Sequence, residues 1–189
     1  MIKVTICTEN EDYMNRKVDY SKLKYLILDV DGTLTDSGVI YDDLGNELKR
    51  FSTKDGSGFN IAHEAGFEII VMTGRECKAT LRRMEELKTE YIFQNVKKKP
   101  DCLKQFMEEK NASAENFAYI GDDLNDYKTM MMCGFVGCPL ESAPEIKDIS
   151  DYVSPVRAGY GAMRDIVEEI LRRRGDRDAV IKRVIEKMP

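Results

Sequence analysis

Short apolar runs bounded by polar turns alternate with longer segments of helical periodicity along most of this chain. Tyr25-Leu26-Ile27-Leu28 is continuously apolar over one strand length, as strands buried on both faces are. Glu68–Met72, Tyr91–Phe93, Phe117–Ile120 and Phe135–Val136 read as further strands of the same kind. Helices are predicted over Gly58–Ala65, stopped by Gly66, and over Glu76–Lys88, with Leu81, Met84 and Leu87 on one face. Another opens at Pro100, a residue suited to a first helical turn, and runs to about Lys110. Leu124–Cys133, ending at Gly134, and roughly Gly161–Arg174 complete the set. Val39-Ile40-Tyr41 and Leu48-Lys49-Arg50-Phe51 flank Asp43-Leu44-Gly45-Asn46 and predict a β-hairpin. The expected organisation is an N-terminal arm over 1–22, one domain over 23–174, and a C-terminal tail over 175–189. In that tail, Val180, Ile181 and Ile185 suit a short amphipathic helix.

Strands alternating with helices predict an α/β fold, a parallel sheet with right-handed crossovers. Ligands of such sheets bind beyond the carboxyl ends of the strands. Asp29, Thr73 and Asp122 each follow directly on a predicted strand, so all three should gather at one edge of the sheet.

Composition narrows the function classes. The chain has 189 residues, 42% of them apolar and 33% charged, as a soluble single domain does. Its net charge of −5 supplies no global field for nucleic acid or an anionic membrane. A phosphorylated substrate would therefore need local cations or a metal. The apolar runs are too short to span a bilayer. Met1–Asn10 lacks the uninterrupted apolar core of a signal peptide, so a cytoplasmic protein is expected. The five cysteines form no CxxC pair and read as reduced thiols, and Cys133 and Cys138 have no His or further Cys nearby to complete a metal site.

Asp29 and Asp31 stand two apart at a strand end, a spacing that can aim both carboxylates into one cavity. One can attack phosphorus while the other manages protons. Gly32 permits an unusual backbone geometry just after them. Asp122 and Asp123 add carboxylates at another strand end. A single aspartate there would be explained by helix or turn capping. Two such clusters concentrate charge that a hard cation must offset, and oxygen ligands of this kind suit Mg²⁺.

Asp29-Val30-Asp31-Gly32-Thr33-Leu34-Thr35-Asp36 resembles the first motif, DxDGTxxD, of haloacid dehalogenase-type phosphatases. Thr73, in Val71-Met72-Thr73-Gly74-Arg75, resembles the second, and Gly121-Asp122-Asp123-Leu124-Asn125-Asp126 the fourth. Among Lys97, Lys98 and Lys99, the last stands just ahead of Pro100 as the motif-three lysine does. The resemblance covers about residues 22–171. It implies a Rossmannoid parallel sheet flanked by helices, with a β-hairpin insertion, and the stretch from Asp36 to Met72 is too short for a large cap domain. It also implies Asp29 as nucleophile, Asp31 as acid and base, and Lys99 as a catalytic lysine. Thr73, Gly74 and Lys99 would bind phosphate. Mg²⁺ would be held by Asp29, Asp122 and the backbone carbonyl of Asp31, with the parts of Asp123 and Asp126 left open. His63, the single histidine, has no role to fill because the aspartates supply acid and base.

The segments Gly38–Tyr41, Phe51–Gly58, Thr73–Arg75 and Arg157–Arg164 resemble the family of 3-deoxy-D-manno-octulosonate 8-phosphate phosphatases. They are also similar to the related enzymes acting on 2-keto-3-deoxynononate 9-phosphate or sialate 9-phosphate. The resemblance implies a small-molecule sugar-acid phosphate as substrate, bound by Arg75, Asp55, Ser57 and Arg157, and a homotetramer whose neighbouring subunits help close the site. Arg75 favours the octulosonate branch, since a guanidinium pairs bidentately with a carboxylate, while Tyr160 departs from the pattern. A non-catalytic tetramerisation or regulatory module is the rival from another class, and the complete set Asp29, Asp31, Thr73, a motif-three lysine and Asp122 weighs against it. A nucleic-acid 3′-phosphatase is disfavoured by the acidic charge.

Overall fold

The computed structural model describes residue 13 and residues 16–188. Most of the expected N-terminal arm, with Cys7, lies outside the described residues. In chain order the strands are β1 (Tyr25–Leu28), β2 (Ile40–Tyr41), β3 (Glu47–Leu48), β4 (Glu68–Met72), β5 (Tyr91–Phe93), β6 (Phe117–Ile120), β7 (Phe135–Cys138) and β8 (Tyr152–Val153). The α-helices are α1 (Thr53–Glu64), α2 (Lys78–Glu86), α3 (Lys99–Lys110), α4 (Leu124–Met130), α5 (Pro144–Ile149), α6 (Ala162–Arg174) and α7 (Arg177–Glu186).

Six strands pair in the order β5-β4-β1-β6-β7-β8, every pair parallel, and β2 and β3 form a separate antiparallel hairpin. The apolar runs are continuous because both faces of the sheet are covered. Leu26, Leu28, Ile69, Val71, Ala118 and Ile120 point to one face, where residues of α1, α2, α6 and α7 meet them. Tyr25, Ile27, Ile70, Met72, Phe117 and Tyr119 point to the other, under α3, α4 and α5. Successive residues of a strand alternate faces, so a four-residue run feeds two cores. The tail joins the first of them through the fully buried Val180 of α7.

Four local features differ from the sequence expectation. Helix α1 begins at Thr53 rather than Gly58, because the Ser52 side chain accepts from the Lys54 N–H and caps it. Its internal glycines serve packing: a Cβ at Gly58 would lie 2.9 Å from the Arg164 backbone on α6. On α2 the buried face is Thr80, Met84 and Leu87, while Leu81 turns to solvent. Helix α4 ends at Met130, three residues earlier than expected. Helix α5 and strand β8 went unpredicted because they are short and lie among Pro139, Pro144 and Pro155. No described helix is long and apolar enough to cross a membrane.

Candidate active site

Strand β1 lies between β4 and β6, with Leu28 in register with both Val71 and Ile120. Asp29, Thr73 and Asp122 therefore emerge from three adjacent strands at the same sheet edge. After Asp29 the chain turns tightly, with the N–H groups of Leu34 and Thr35 both donating to Val30 O at 2.9 and 3.0 Å. Gly32 has φ +89°, and a Cβ there would lie 1.9 Å from Asp122 Oδ2. Glycine at this position is thus what lets the Asp122 carboxylate reach over the turn.

At the centre is Lys99, the first residue of α3, only 3% exposed. Its Nζ donates to Asp29 Oδ1 and to Asp126 Oδ1, both at 2.6 Å. Asp126 is fully buried and also accepts from the Tyr119 hydroxyl at 2.7 Å and from the Asp122 N–H at 3.2 Å. Asp123 turns away to cap α4, accepting from the Leu124 N–H at 2.8 Å. Burial, then the charge of Asp126, raises the Asp29 carboxyl to about 7. Burial, then Asp29 and Asp126, raises Asp122 to about 8. For Lys99, burial works downward, yet the two carboxylates outweigh it and the net direction is up.

One oxygen from each of Asp29, Asp122 and Asp126 fits within a 4.8 Å group. Three crowded carboxylates opposed by one ammonium leave negative charge that a divalent cation would neutralise, and an all-oxygen donor set suits Mg²⁺. Asp126 already spends both oxygens on Lys99, Tyr119 and the Asp122 backbone. Asp29 and Asp122 keep more open lone pairs, so they are the better candidate ligands.

Thr73 is buried beside this cluster, and its Oγ1 accepts from the Arg75 N–H at 3.3 Å. Gly74 follows, its carbonyl accepting from Lys97 Nζ at 3.3 Å. Asp31 faces the hairpin: Lys49 Nζ donates to its Oδ1, and Arg75 Nε stands 3.8 Å from its Oδ2. Arg75 also reaches Glu47 at 2.9 Å and the Tyr41 hydroxyl at 3.3 Å. An open cleft of about 1210 Å³ borders the site through Gly74 and Lys99 and carries Lys97, Lys98 and Lys128 on its walls.

The structure does not bring Asp55, Ser57 or Arg157 to the Lys99 cluster. Asp55 is buried against the start of α6, where its oxygens accept from the Gly161 and Arg164 N–H groups at 3.1 and 3.3 Å. Ser57 donates back to Thr53 O within α1. Arg157 pairs with Glu141 on the surface. The segment around Arg157 still touches the nucleophile turn, since a Cβ at Gly159 would lie 2.8 Å from the Asp36 N and Thr35 C atoms. His63 engages Leu87 O and Glu90, consistent with a structural part. Sequence reasoning missed Lys49 and Glu47, which carry no motif and read as ordinary hairpin charges.

No protein-family model matches the chain. The 3-deoxy-D-manno-octulosonate 8-phosphate phosphatase KdsC of Escherichia coli K12 is 32% identical over 156 residues, which span 82% of this chain and 83% of that protein. KdsC of Haemophilus influenzae is 31% identical over 162 residues, spanning 86% and 89%. The crystal structure of the Moraxella catarrhalis 3-deoxy-D-manno-octulosonate 8-phosphate phosphatase, in complex with magnesium ion, phosphate ion and KDO, is similar at a TM-score of 0.82 and 32% identity, covering 92% of this chain and 97% of that one. The cobalt-bound enzyme of Haemophilus influenzae is similar at a TM-score of 0.79 and 30% identity, covering 85% and 94%. The motifs, the sheet order and these relatives agree: the chain belongs to the 3-deoxy-D-manno-octulosonate 8-phosphate phosphatase family of the haloacid dehalogenase superfamily.

Proposed function

We propose that this protein hydrolyses the phosphate monoester of a keto-deoxy sugar acid, 3-deoxy-D-manno-octulosonate 8-phosphate, through an aspartyl-phosphate on Asp29. The observation that carries this reading is the buried Lys99 bridging Asp29 and Asp126 beside Asp122. An Asp29 oxygen attacks phosphorus as the bond to the sugar oxygen breaks, and that oxygen takes a proton from Asp31. Asp31 then takes a proton from the water that attacks the phosphoryl-aspartate, releasing inorganic phosphate and restoring Asp29. Lys99, Thr73 and the Gly74 backbone N–H hold the phosphoryl oxygens, and Asp126 keeps Lys99 in place. Mg²⁺, held by Asp29, Asp122 and the Asp31 carbonyl, would supply positive charge against the phosphate. Positioning and electrostatics account for most of the acceleration in phosphoryl transfer.

Arg75, which stands 3.8 Å from Asp31 Oδ2, would meet the sugar-acid carboxylate, and the cleft lysines would provide the local positive charge that an acidic chain needs. The protein acts as a homotetramer in the cytoplasm. Support for assembly comes from the hairpin, where Val39, Ile40, Tyr41, Leu44 and Leu48 are all exposed.

The test is steady-state phosphate release from 3-deoxy-D-manno-octulosonate 8-phosphate, with Mg²⁺ and with EDTA, for wild type and Asp29→Asn. Release is expected only from wild type with Mg²⁺. Faster turnover of 2-keto-3-deoxynononate 9-phosphate would overturn the substrate, and silence on every ester would overturn the enzyme.

A further inference from the structure

Lys49 is out of place as a surface residue. It follows the two-residue strand β3 on an exposed hairpin, yet its side chain is only 1% exposed. A buried ammonium costs several kcal/mol unless it is paired and hydrogen-bonded. Here Asp31 Oδ1 and Glu47 Oε1, the latter at 3.0 Å, flank it. Burial works to lower the Lys49 pKa, but the bonds to Asp31 and Glu47 outweigh it and leave it raised. Glu47 in turn holds Arg75 at 2.9 Å, and Arg75 stands 3.8 Å from the far oxygen of Asp31. Two acids and two bases thus close a neutral ring over the nucleophile turn. Within it, Asp31 Oδ2 is buried and accepts no hydrogen bond from the protein.

Resting on the phosphatase reading, we propose that Lys49 is a positioning residue that pins Asp31 by Oδ1, leaving Oδ2, uncovered as Arg75 turns from it to the substrate carboxylate, as the oxygen that gives the proton to the departing sugar and takes one from water. Glu47 completes the device by fixing both Lys49 and Arg75. The ammonium is paired with Asp31 and Glu47. Its whole effect passes through the orientation of one carboxylate, and that makes it separable from general stability.

The separation comes from the leaving group. A sugar alkoxide must be protonated as it leaves, whereas p-nitrophenolate departs without a proton. Lys49→Met should therefore lower kcat/KM, which reads the steps up to departure of the leaving group, on 3-deoxy-D-manno-octulosonate 8-phosphate by about 100-fold, the low end of what general acid catalysis supplies. On p-nitrophenyl phosphate the loss in kcat/KM should stay within about threefold, while kcat on both esters falls alike wherever hydrolysis of the phosphoryl-aspartate, which also uses Asp31, limits turnover. Lys49→Arg, which can still span Asp31 and Glu47, should restore most of the ratio between the two esters. Glu47→Gln should shift that ratio in the same direction by less, and it carries the comparison if Lys49→Met does not fold. Equal losses in kcat/KM on both esters, or no loss on either, would overturn the positioning role while leaving the phosphatase reading intact. A wild-type protein silent on both esters would instead remove the phosphatase reading, and the inference with it.

Discussion

Lys99 offsets the repulsion among three carboxylates, and its removal should be felt in folding as well as in catalysis. It is buried, its Nζ touches both Asp29 and Asp126, and Asp122 lies in the same group. Taking one partner from a buried ionic network leaves uncompensated charge, at a cost of about 3 kcal/mol. Lys99→Met is therefore expected to lower the free energy of unfolding by about that much in EDTA. Mg²⁺ should recover part of the loss, because a ligand that binds only the folded chain stabilises it by mass action. Urea unfolding with and without Mg²⁺ reads both effects, and a loss below about 1 kcal/mol in EDTA would mean that protonation, not Lys99, relieves the cluster. Asp29, Thr73 and Asp122 were legible in the sequence because each follows an apolar run, and Lys99 because it precedes Pro100. The division between Asp123 and Asp126 was not, since it depends on which side of α4 turns inward. Lys49 left no trace either, because its partner Asp31 lies 18 residues away and only the folded hairpin brings them together.

At the scale of elements, Asp55 joins α1 to α6 where the sequence suggested a substrate ligand. The sequence predicts a start of helix α1 at Gly58, whereas the helix begins at Thr53. Tertiary packing overrides that expectation: α6 lies against Gly58, and the Asp55 carboxylate accepts from N–H groups at the start of α6. Strands β1, β4, β5 and β6, by contrast, match their predicted spans, since a continuous apolar run between turns leaves little freedom in a doubly covered sheet. Burial raises the Asp55 carboxyl to about 6, from an ordinary value near 3.8, against the opposing pull of those N–H groups. A carboxyl raised on folding binds its proton more tightly in the folded chain. Its contribution is therefore fully present below the unfolded value, falls as pH rises from about 4 to about 6, and is flat above. At about 1.4 kcal/mol for each tenfold change in proton affinity, the whole span is on the order of 3 kcal/mol. Asp55→Asn cannot titrate, so wild type should lose stability relative to the variant by roughly that amount between pH 4 and 7. Denaturant unfolding of both proteins across this window measures the difference. Parallel profiles would mean that Asp55 titrates alike in the folded and unfolded chains.

The whole molecule has one feature that its own core does not explain. The hairpin β2–β3 is too short to be stable alone, and it presents Val39, Ile40, Tyr41, Leu44 and Leu48 to solvent, Leu44 at 87% exposure. A cluster of this size on one small element marks an interaction surface. Its ties to its own chain include ion pairs of Lys49 with Asp31, Glu47 with Arg75 and Arg50 with Asp36, and a hydrogen bond from Arg75 to the Tyr41 hydroxyl. Ion pairs at a surface contribute little by themselves, so an apolar cover from a second copy would do most to hold the hairpin in place. The absence of a large cap was legible from the short spacing between motifs, but which residues need covering was not, because apolar hairpin residues could equally have packed on their own domain. Ile40→Glu puts a charge in the middle of this face while leaving Lys49 and Glu47 unaltered. Light scattering should give a tetramer for wild type and a smaller species for the variant. Because the hairpin carries the groups that hold Asp31 and Arg75, dissociation should also loosen the site. The specific activity of wild type should then fall on dilution below its assembly range, and Ile40→Glu should show the low value at every concentration. A monomeric wild type with dilution-independent activity would instead mean that the ionic ties alone suffice to dock the hairpin.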